Sequence, residues 1–232
     1  MDMPAESGTI AVIAAMPGEL GPLVRGWTRE QGAVAVLWRR DGAGLVAACA
    51  GAGVDAAARA FAEIGKSRKI GAVVSVGWAG ALGAACPPGS AYRVCTVVDA
   101  LNGERFQAAG PPDGRALVTS PRVADPPEKA RLAATFGADL VDMEAAGVAR
   151  LAAARGIPFY CIKGVSDGPD GRLPDFNRFI AGDGGFRTAA FMVFALFRPW
   201  LWPALARMGV HSGRAAGNIA VLFEAMGPWN VK

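Results

Sequence analysis

The sequence predicts an α/β fold, namely a single domain with a mixed, mostly parallel central β-sheet flanked by helices. Short β-branched runs alternate with alanine-rich stretches of helical length, which is typical of a sheet covered by helices. The 31 glycines among 232 residues favour close packing of helix on strand. We expect one domain over residues 1–232, with a helical tail over about 184–232, because no repeat or linker divides the chain.

The strands are predicted from apolar runs that end at turn residues or at the start of a helix. In chain order they are 9–15, 34–38, 45–50, 70–76, 92–98, 116–119, 140–142 and 158–164. The predicted helices run from just after 51–53 to about 64, then over 126–135, 145–154 and 186–197, and a last one contains Arg207, His211 and Arg214. Loops are expected at 77–81 and 166–175, and Pro199 and Pro203 separate the last two helices.

The composition argues against several classes of protein. Hydrophobic residues make up 52% of the chain, but Gly, Arg or Pro interrupts the longest apolar stretches, so no clean transmembrane span of ~20 residues is predicted. The net charge is +4, yet the basic residues are spread out, which argues against a nucleic-acid partner. The polar segment 1–8 is not typical of a secretory leader, so we expect a cytoplasmic protein.

Cysteine and histidine usage predicts no metal site. The chain has one histidine, and its four cysteines occur singly, without metal-ligand spacing. We expect reduced thiols, as is usual in the cytosol. The cysteines are Cys49, Cys86, Cys95 and Cys161.

Acidic residues follow three of the predicted strands. Glu19 follows the first strand, Glu144 follows Val141-Asp142-Met143, and Asp167 ends the run that begins at 158. Ligands of open α/β sheets bind beyond the carboxyl ends of the strands, so these side chains are expected in one crevice. The alternative for each is a carboxylate that merely stabilises the first turn of a helix.

Four segments resemble the nucleoside phosphorylase/nucleosidase superfamily, in particular the methylthioadenosine/S-adenosylhomocysteine nucleosidases. The Met-Glu and Ser-Asp pairs at this spacing are the most specific part of the resemblance. The segments are 10–20 (IAVIAAMPGEL), 73–82 (VVSVGWAGAL), 138–148 (ADLVDMEAAGV) and 157–167 (IPFYCIKGVSD).

The resemblance implies an enzyme that cleaves the N-glycosidic bond of a purine nucleoside through an oxocarbenium-like sugar. Asp167 is expected to protonate purine N7 as the base departs, with Ser166 orienting it, which requires Asp167 to hold a proton. Glu144 would accept hydrogen bonds from the ribose hydroxyls while Met143 packs against the sugar, and Glu19 would activate the attacking water. The reaction implies no cofactor, with phosphate as co-substrate only in a phosphorylase.

The glycine-rich segment departs from the pattern of the phosphorylases. Gly77 and Trp78 are expected to contact substrate, but Trp78 stands where phosphorylases carry an arginine that holds phosphate, and Ser75 stands at the companion serine. A tryptophan offers one N–H and no charge, which favours hydrolysis over phosphorolysis. Trp78 forms either an apolar wall of the site or part of the core. The usual aromatic residue that stacks on the base is not evident, and the base is expected to lie against Val123.

Segment 125–144 and the tail over 184–216 most resemble the hopanoid-associated branch, which implies adenosylhopane as substrate. The apolar and aromatic tail with Arg198, Arg207 and Arg214 suits a membrane interface, so a lipid-linked nucleoside and contact with the inner membrane surface are expected. The tail could instead pack on the sheet or on a second subunit, and we expect a homodimer. Two other functions stay open: a methylthioadenosine/S-adenosylhomocysteine nucleosidase, and an inactive nucleoside-binding module plugged by Trp78.

Overall fold

The computed structural model describes residues 8–110, 112–171, 174–182 and 184–227. The predictions for segment 1–8 and for the end of the tail therefore fall almost entirely outside the described residues. Within them the chain forms one mixed α/β domain, as predicted. Its strands are β1 (Thr9–Ala14), β2 (Thr28–Gln31), β3 (Val36–Arg40), β4 (Leu45–Cys49), β5 (Ile70–Ala81), β6 (Ala91–Asp99), β7 (Arg105–Gln107), β8 (Arg115–Thr119), β9 (Leu140–Asp142) and β10 (Phe159–Asp167).

The long strand β5 organises the sheet. Its first half pairs in parallel with β1, and its second half pairs in parallel with β10 and antiparallel with β9. Strands β5, β10, β6, β8 and β9 close into a ring, while β1, β4, β3 and β2 extend the sheet from β5. The described strands pair in both directions, and the longest pairing, between β10 and β5, is parallel, so the sheet is mixed as predicted.

Helices cover both faces of this sheet. They are α1 (Pro17–Leu20), α2 (Val54–Gly65), α3 (Pro126–Phe136), α4 (Ala145–Ala153), α5 (Thr188–Leu196) and α6 (Trp202–Ala225). Helices α2 and α4 pack against each other over one core, which includes Phe61 and Val148. Helix α6 packs across β10, β6 and β5 over a second core that includes Ile219 and Phe223.

A glycine in β10 allows α6 to lie directly on the sheet. A Cβ atom added at Gly164 would lie 2.8 Å from Cβ of Ala215 and 2.9 Å from Cδ1 of Ile219. Any side chain at this position would push the helix away from the strand. The close contact fixes the strand that ends in Ser166 and Asp167.

The structure corrects two predicted loop boundaries. Residues 77–81 continue β5 instead of forming a loop, and β10 runs on through Asp167. The two extensions pair with each other up to Gly80, which satisfies backbone groups that a loop would leave to water.

The edge strand β2 was not predicted because its sequence, TREQ, is polar. A 3₁₀ turn over Pro199–Leu201 separates α5 from α6, as the prolines predicted.

No single helix among the described residues has the length and hydropathy of a membrane span. Helix α5 and the helical segment that follows it pass such a test only when they are taken together, and they bend by 105° at the break between them.

Candidate active site

A cavity of about 330 Å³ opens at the carboxyl ends of β1, β5, β9 and β10. Seven of the eight predicted site residues lie in its wall, although they come from distant parts of the chain. They are Glu19, Trp78, Val123, Met143, Glu144, Ser166 and Asp167. The cavity is therefore the one crevice that the acidic strand ends predicted.

Gly77 is the exception, since it lies behind the wall against Glu19. A Cβ atom added there would lie 2.8 Å from Oε1 of Glu19, and its φ of +144° is one that other residues rarely adopt. Gly77 makes room for the Glu19 carboxylate, and its contact with substrate stays a prediction.

Glu19 is a buried carboxylate held by backbone donors. Its Oε1 accepts from the N–H of Trp78 at 2.8 Å, and its Oε2 accepts from the N–H groups of Ala15 and Met16, both at 2.8 Å. Burial raises the pKa of Glu19 above its ordinary value, although these hydrogen bonds and the charge of Lys163 oppose the shift. A carboxylate with a raised pKa is suited to take a proton from water near neutral pH.

Glu144 lies at the start of α4 and is also buried. Its Oε1 accepts from the N–H of Gly53 at 2.7 Å. Burial, followed by the nearby charge of Asp142, raises the pKa of Glu144 to about 7, while Lys163 acts in the opposite direction. Glu144 therefore changes its protonation state in the physiological range.

A buried ion pair, not predicted from the sequence, lies beneath Glu144. Nζ of Lys163 lies 2.8 Å from Oδ2 of Asp142, and both side chains are almost fully buried. Asp142 also accepts from Oγ1 of Thr119 at 2.7 Å and from the N–H of Ala145 at 2.9 Å, so it anchors the first turn of α4. Burial disfavours the charge on Lys163, but Asp142 outweighs it and raises the pKa of this lysine. The pair fixes the position of Glu144.

Asp167 ends β10 with both carboxylate oxygens engaged. Oγ of Ser166 donates to its Oδ1 at 2.6 Å, as expected of an orienting serine. Its Oδ2 contacts Nζ of Lys129, which also donates to the carbonyl oxygen of Gly168 at 2.6 Å. Lys129 is only 2% exposed and lies in the cavity wall. Sequence reasoning missed it because a lysine on a charged helix is usually solvated.

Trp78 forms part of the cavity wall and also joins β5 to α6. Its Nε1 donates to the carbonyl oxygen of Ser212 at 3.0 Å, and its ring packs against Gly18. The indole therefore serves as both an apolar wall and a packing element. Ser75 is buried and is not part of the cavity wall among the described residues, so neither residue presents a charge to a phosphate.

Val123 is held in the cavity wall by the side chain of Asn177, which bonds to both backbone groups of Val123 as a neighbouring strand would. Oδ1 of Asn177 accepts from the Val123 N–H at 2.8 Å, and Nδ2 of Asn177 donates to the Val123 carbonyl at 3.1 Å. Asn177 lies in a 3₁₀ turn over Phe176–Phe179. This pairing ties the segment expected to contact the base to the start of the tail.

Part of the cavity wall is apolar and comes from residues 176–191 and from α6. The ring centroids of Phe176 and Phe191 lie 5.3 Å apart, and those of Phe186 and Phe191 lie 5.5 Å apart. These three rings line the cavity together with Ile180 and Met208. These residues thus give the cavity that holds the carboxylates an apolar part of its wall.

Among the described residues no group of three or more His, Cys, Asp or Glu side chains is arranged to hold a metal ion. The site combines the Asp167 carboxyl group and the Ser166 hydroxyl bound to it with two buried carboxylates of raised pKa and an apolar compartment. Such a set can protonate a leaving group, stabilise a cation and activate water.

Comparison with protein families finds a similarity over part of this site. The family model described as the phosphorylase superfamily matches residues 109–191, which include Met143-Glu144 and Ser166-Asp167. The predicted resemblance to the nucleoside phosphorylase/nucleosidase superfamily is confirmed, and the hopanoid-associated branch stays a prediction. No curated protein sequence matches the chain.

Solved structures share the fold over nearly the whole chain. A point variant of Helicobacter pylori MTAN with 5′-methylthioadenosine in its active site has a TM-score of 0.69 at 14% identity, covering 94% of this chain and 97% of that one. The 5′-methylthioadenosine/S-adenosylhomocysteine nucleosidase of Neisseria meningitidis, in complex with methylthio-immucillin-A, has a TM-score of 0.67 at 20% identity, with coverages of 94% and 98%. Futalosine hydrolase of Helicobacter pylori has a TM-score of 0.66 at 14% identity, with coverages of 94% and 97%. The chain therefore shares its fold with these nucleosidases.

Proposed function

We propose that this protein hydrolyses the N-glycosidic bond of an adenine nucleoside that carries a bulky apolar 5′ substituent, with adenosylhopane as the substrate. The observation that carries the proposal is the arrangement of Asp167, Glu144 and Glu19 around one cavity that is also lined by phenylalanines. The carboxylates supply the chemistry of glycoside cleavage, and the aromatic part of the wall supplies an apolar compartment.

The three carboxylates divide the reaction between them. Asp167, oriented by Ser166, gives a proton to purine N7 as the bond from the sugar to the base breaks. Glu144 accepts hydrogen bonds from the ribose hydroxyls, and its negative charge favours the cationic sugar. Glu19 accepts a proton from the attacking water, a role suited to its raised pKa.

Water, not phosphate, is proposed as the nucleophile. Trp78 places an apolar ring where a phosphorylase has a cation, and Ser75 lies behind the wall. Neither residue offers the charge-assisted donor that a phosphate dianion needs at that position. Release of adenine is therefore expected to be independent of added phosphate.

The lipid-type substrate is supported by the surface around the apolar compartment. Helix α5 and the turn after it expose large apolar side chains on the outside, next to Arg187, Arg198 and Arg207. We call this the apolar tail surface: Met192, Val193, Leu196, Phe197, Trp200 and Trp202, each more than half exposed. Apolar side chains beside arginines suit the headgroup region of a membrane, so we propose that this surface contacts the cytoplasmic face of the inner membrane. A homodimer is also proposed, and light scattering in solution would test it.

The proposal is tested by assaying free adenine from adenosine, methylthioadenosine and 5′-alkyl adenosines of growing length, with detergent constant and with or without phosphate. Burial of each added methylene is worth ~0.8 kcal/mol, so kcat/KM should rise up to about fourfold per methylene until the apolar lining ends. A sharp optimum at methylthioadenosine would contradict the lipid-type substrate. No adenine from any substrate would contradict the nucleosidase itself and favour the inactive binding module.

Methylthioadenosine/S-adenosylhomocysteine cleavage is the second candidate. The observation that favours it is the shared fold with nucleosidases that act on these compounds. The same substrate series separates the two candidates, because a small 5′ pocket excludes long chains whereas an open apolar compartment accepts them.

A further inference from the structure

We propose that Lys129 and Asp167 act as one acid, in which Lys129 is a positioning residue that holds the proton that Asp167 delivers to the departing base. The inference rests on the proposed nucleosidase function and adds to it the source of the proton. It starts from a contact that the carboxylate chemistry alone does not explain, because an acid that must donate a proton is found against a buried ammonium group.

The fold brings Lys129 to this place by specific means. Helix α3 begins at a fixed point, because Oδ1 of Asp125 accepts from the N–H of Glu128 at 2.9 Å and Pro126 occupies the first turn. Lys129, one residue further on, then points inward. A Cβ atom added at Gly80 would lie 3.0 Å from its Cε, so the glycine in β5 leaves the passage through which the lysine reaches Asp167.

The Lys129 side chain is buried, and its partners lie inside the protein. Its side chain is 3% exposed, and its ammonium group is shared between the Asp167 carboxylate and the Gly168 carbonyl oxygen. A buried lysine is costly to the fold unless its charge is compensated, and one carboxylate of the site compensates it. The two groups together are neutral and hold one transferable proton.

The proton balance of the step is then complete. As the bond from C1′ to N9 breaks, its electron pair passes to the purine, and N7 takes a proton from Asp167. Asp167 takes a proton from the ammonium of Lys129, which becomes a neutral amine. Water attacking C1′ gives a proton to Glu19, and exchange with solvent restores both residues. Asp167 therefore need not hold a proton at rest.

The other ionisable groups that face the cavity bear on any pH profile. They are Arg122, Glu19, Glu144 and Asp142, with Lys163 paired to Asp142 beneath Glu144. Because they remain in every variant of Lys129, the ratio of variant to wild-type kcat/KM at each pH isolates the Lys129–Asp167 pair.

The test compares Lys129→Met, Lys129→Gln and Asp167→Asn on an adenine nucleoside and on its N7-methylated form, whose cationic base leaves without a proton. At pH 8, all three variants should lose about 10²-fold in kcat/KM on the ordinary nucleoside and less than fivefold on the methylated one. For Lys129→Met the deficit on the ordinary nucleoside should shrink at least tenfold by pH 5, where an aspartic carboxyl alone is more often protonated. Arg131→Gln, an exposed position on the same helix, is the matched control and should behave as wild type.

Activity on the methylated nucleoside also shows that each variant is folded. Equal losses on both nucleosides, or full activity of Lys129→Gln, would overturn the proposal and leave Lys129 as a structural contact. If the wild-type protein released no base from either nucleoside, the proposed function itself would fail, which is a different outcome.

Discussion

At the residue scale, Glu144 lies where folding and substrate binding favour different protonation states. Its pKa in the folded protein is about 7, against 4.5 for an ordinary glutamate. The folded state therefore binds the proton more tightly than the unfolded chain. The resulting stability is fully present below pH 4.5 and is lost as the pH rises through 7. Ribose hydroxyls, in contrast, donate best to the ionised form.

This conflict predicts opposite pH trends for stability and for substrate binding. From pH 4.5 to 7.5 the free energy of unfolding should fall by on the order of 2–3 kcal/mol through Glu144, and substrate affinity should rise. Glu144→Gln should remove the contribution of Glu144 to both trends, leaving that of Glu19, and should weaken discrimination against 2′-deoxynucleosides. Urea unfolding and kcat/KM measured across this range test the prediction. It is wrong if the variant keeps the wild-type slopes.

At the scale of elements, the sequence predicted the strands that buried apolar runs mark. It did not predict the features that depend on contacts between residues distant in the chain. Strand β1 and the first part of β10 were predicted because apolar runs mark buried strands. The extension of β5 through 77–81 was missed because glycines usually indicate a turn, whereas here they allow Glu19 and Lys129 to approach the strand. The charge pairs of Lys129 and Lys163 were missed because their partners are distant in sequence.

The docking of α6 on β10 is testable at Gly164. Gly164→Ala places a methyl group 2.8 Å from Cβ of Ala215, so the helix must move, and we expect a loss of about 1–3 kcal/mol in stability. Gly213→Ala on the same helix meets nothing within 4 Å and should stabilise the protein by up to ~1 kcal/mol. Thermal unfolding compares the two, and equal melting temperatures would contradict the close packing.

At the scale of the whole molecule, one part of the tail lies in the core and another part is exposed at the surface. The second half of α6 is core, with Ala215, Ile219 and Phe223 fully buried, whereas α5 and the turn after it expose the apolar tail surface. The sequence suggested sheet packing, a subunit interface or a membrane contact as alternatives for one tail. In the structure the second half of α6 packs on the sheet, whereas α5 and the turn after it face outward. Both segments are apolar in composition, so the sequence alone does not distinguish them.

The outward surface predicts binding to lipid. Phe197→Asp and Trp200→Asp together should reduce cosedimentation with phosphatidylglycerol-containing vesicles at least tenfold and leave release of adenine from water-soluble nucleosides unchanged. Val221→Asp is the matched control, because Val221 is 67% exposed on α6 but lies outside the apolar tail surface. Equal vesicle binding by all three proteins would contradict the membrane contact. If the double variant converted a dimer into a monomer, the surface would be a subunit interface instead.

The open end of the sheet also restricts how copies of the protein can associate. Beyond the ring of strands, the sheet ends at β2, a four-residue strand that carries Arg29 and Glu30. A short, charged edge is a poor template for a further strand, so it protects the chain against aggregation through continuous sheets. Assembly of this protein should therefore use side-chain surfaces, and conditions that promote amyloid-like pairing should first require the loss of β2.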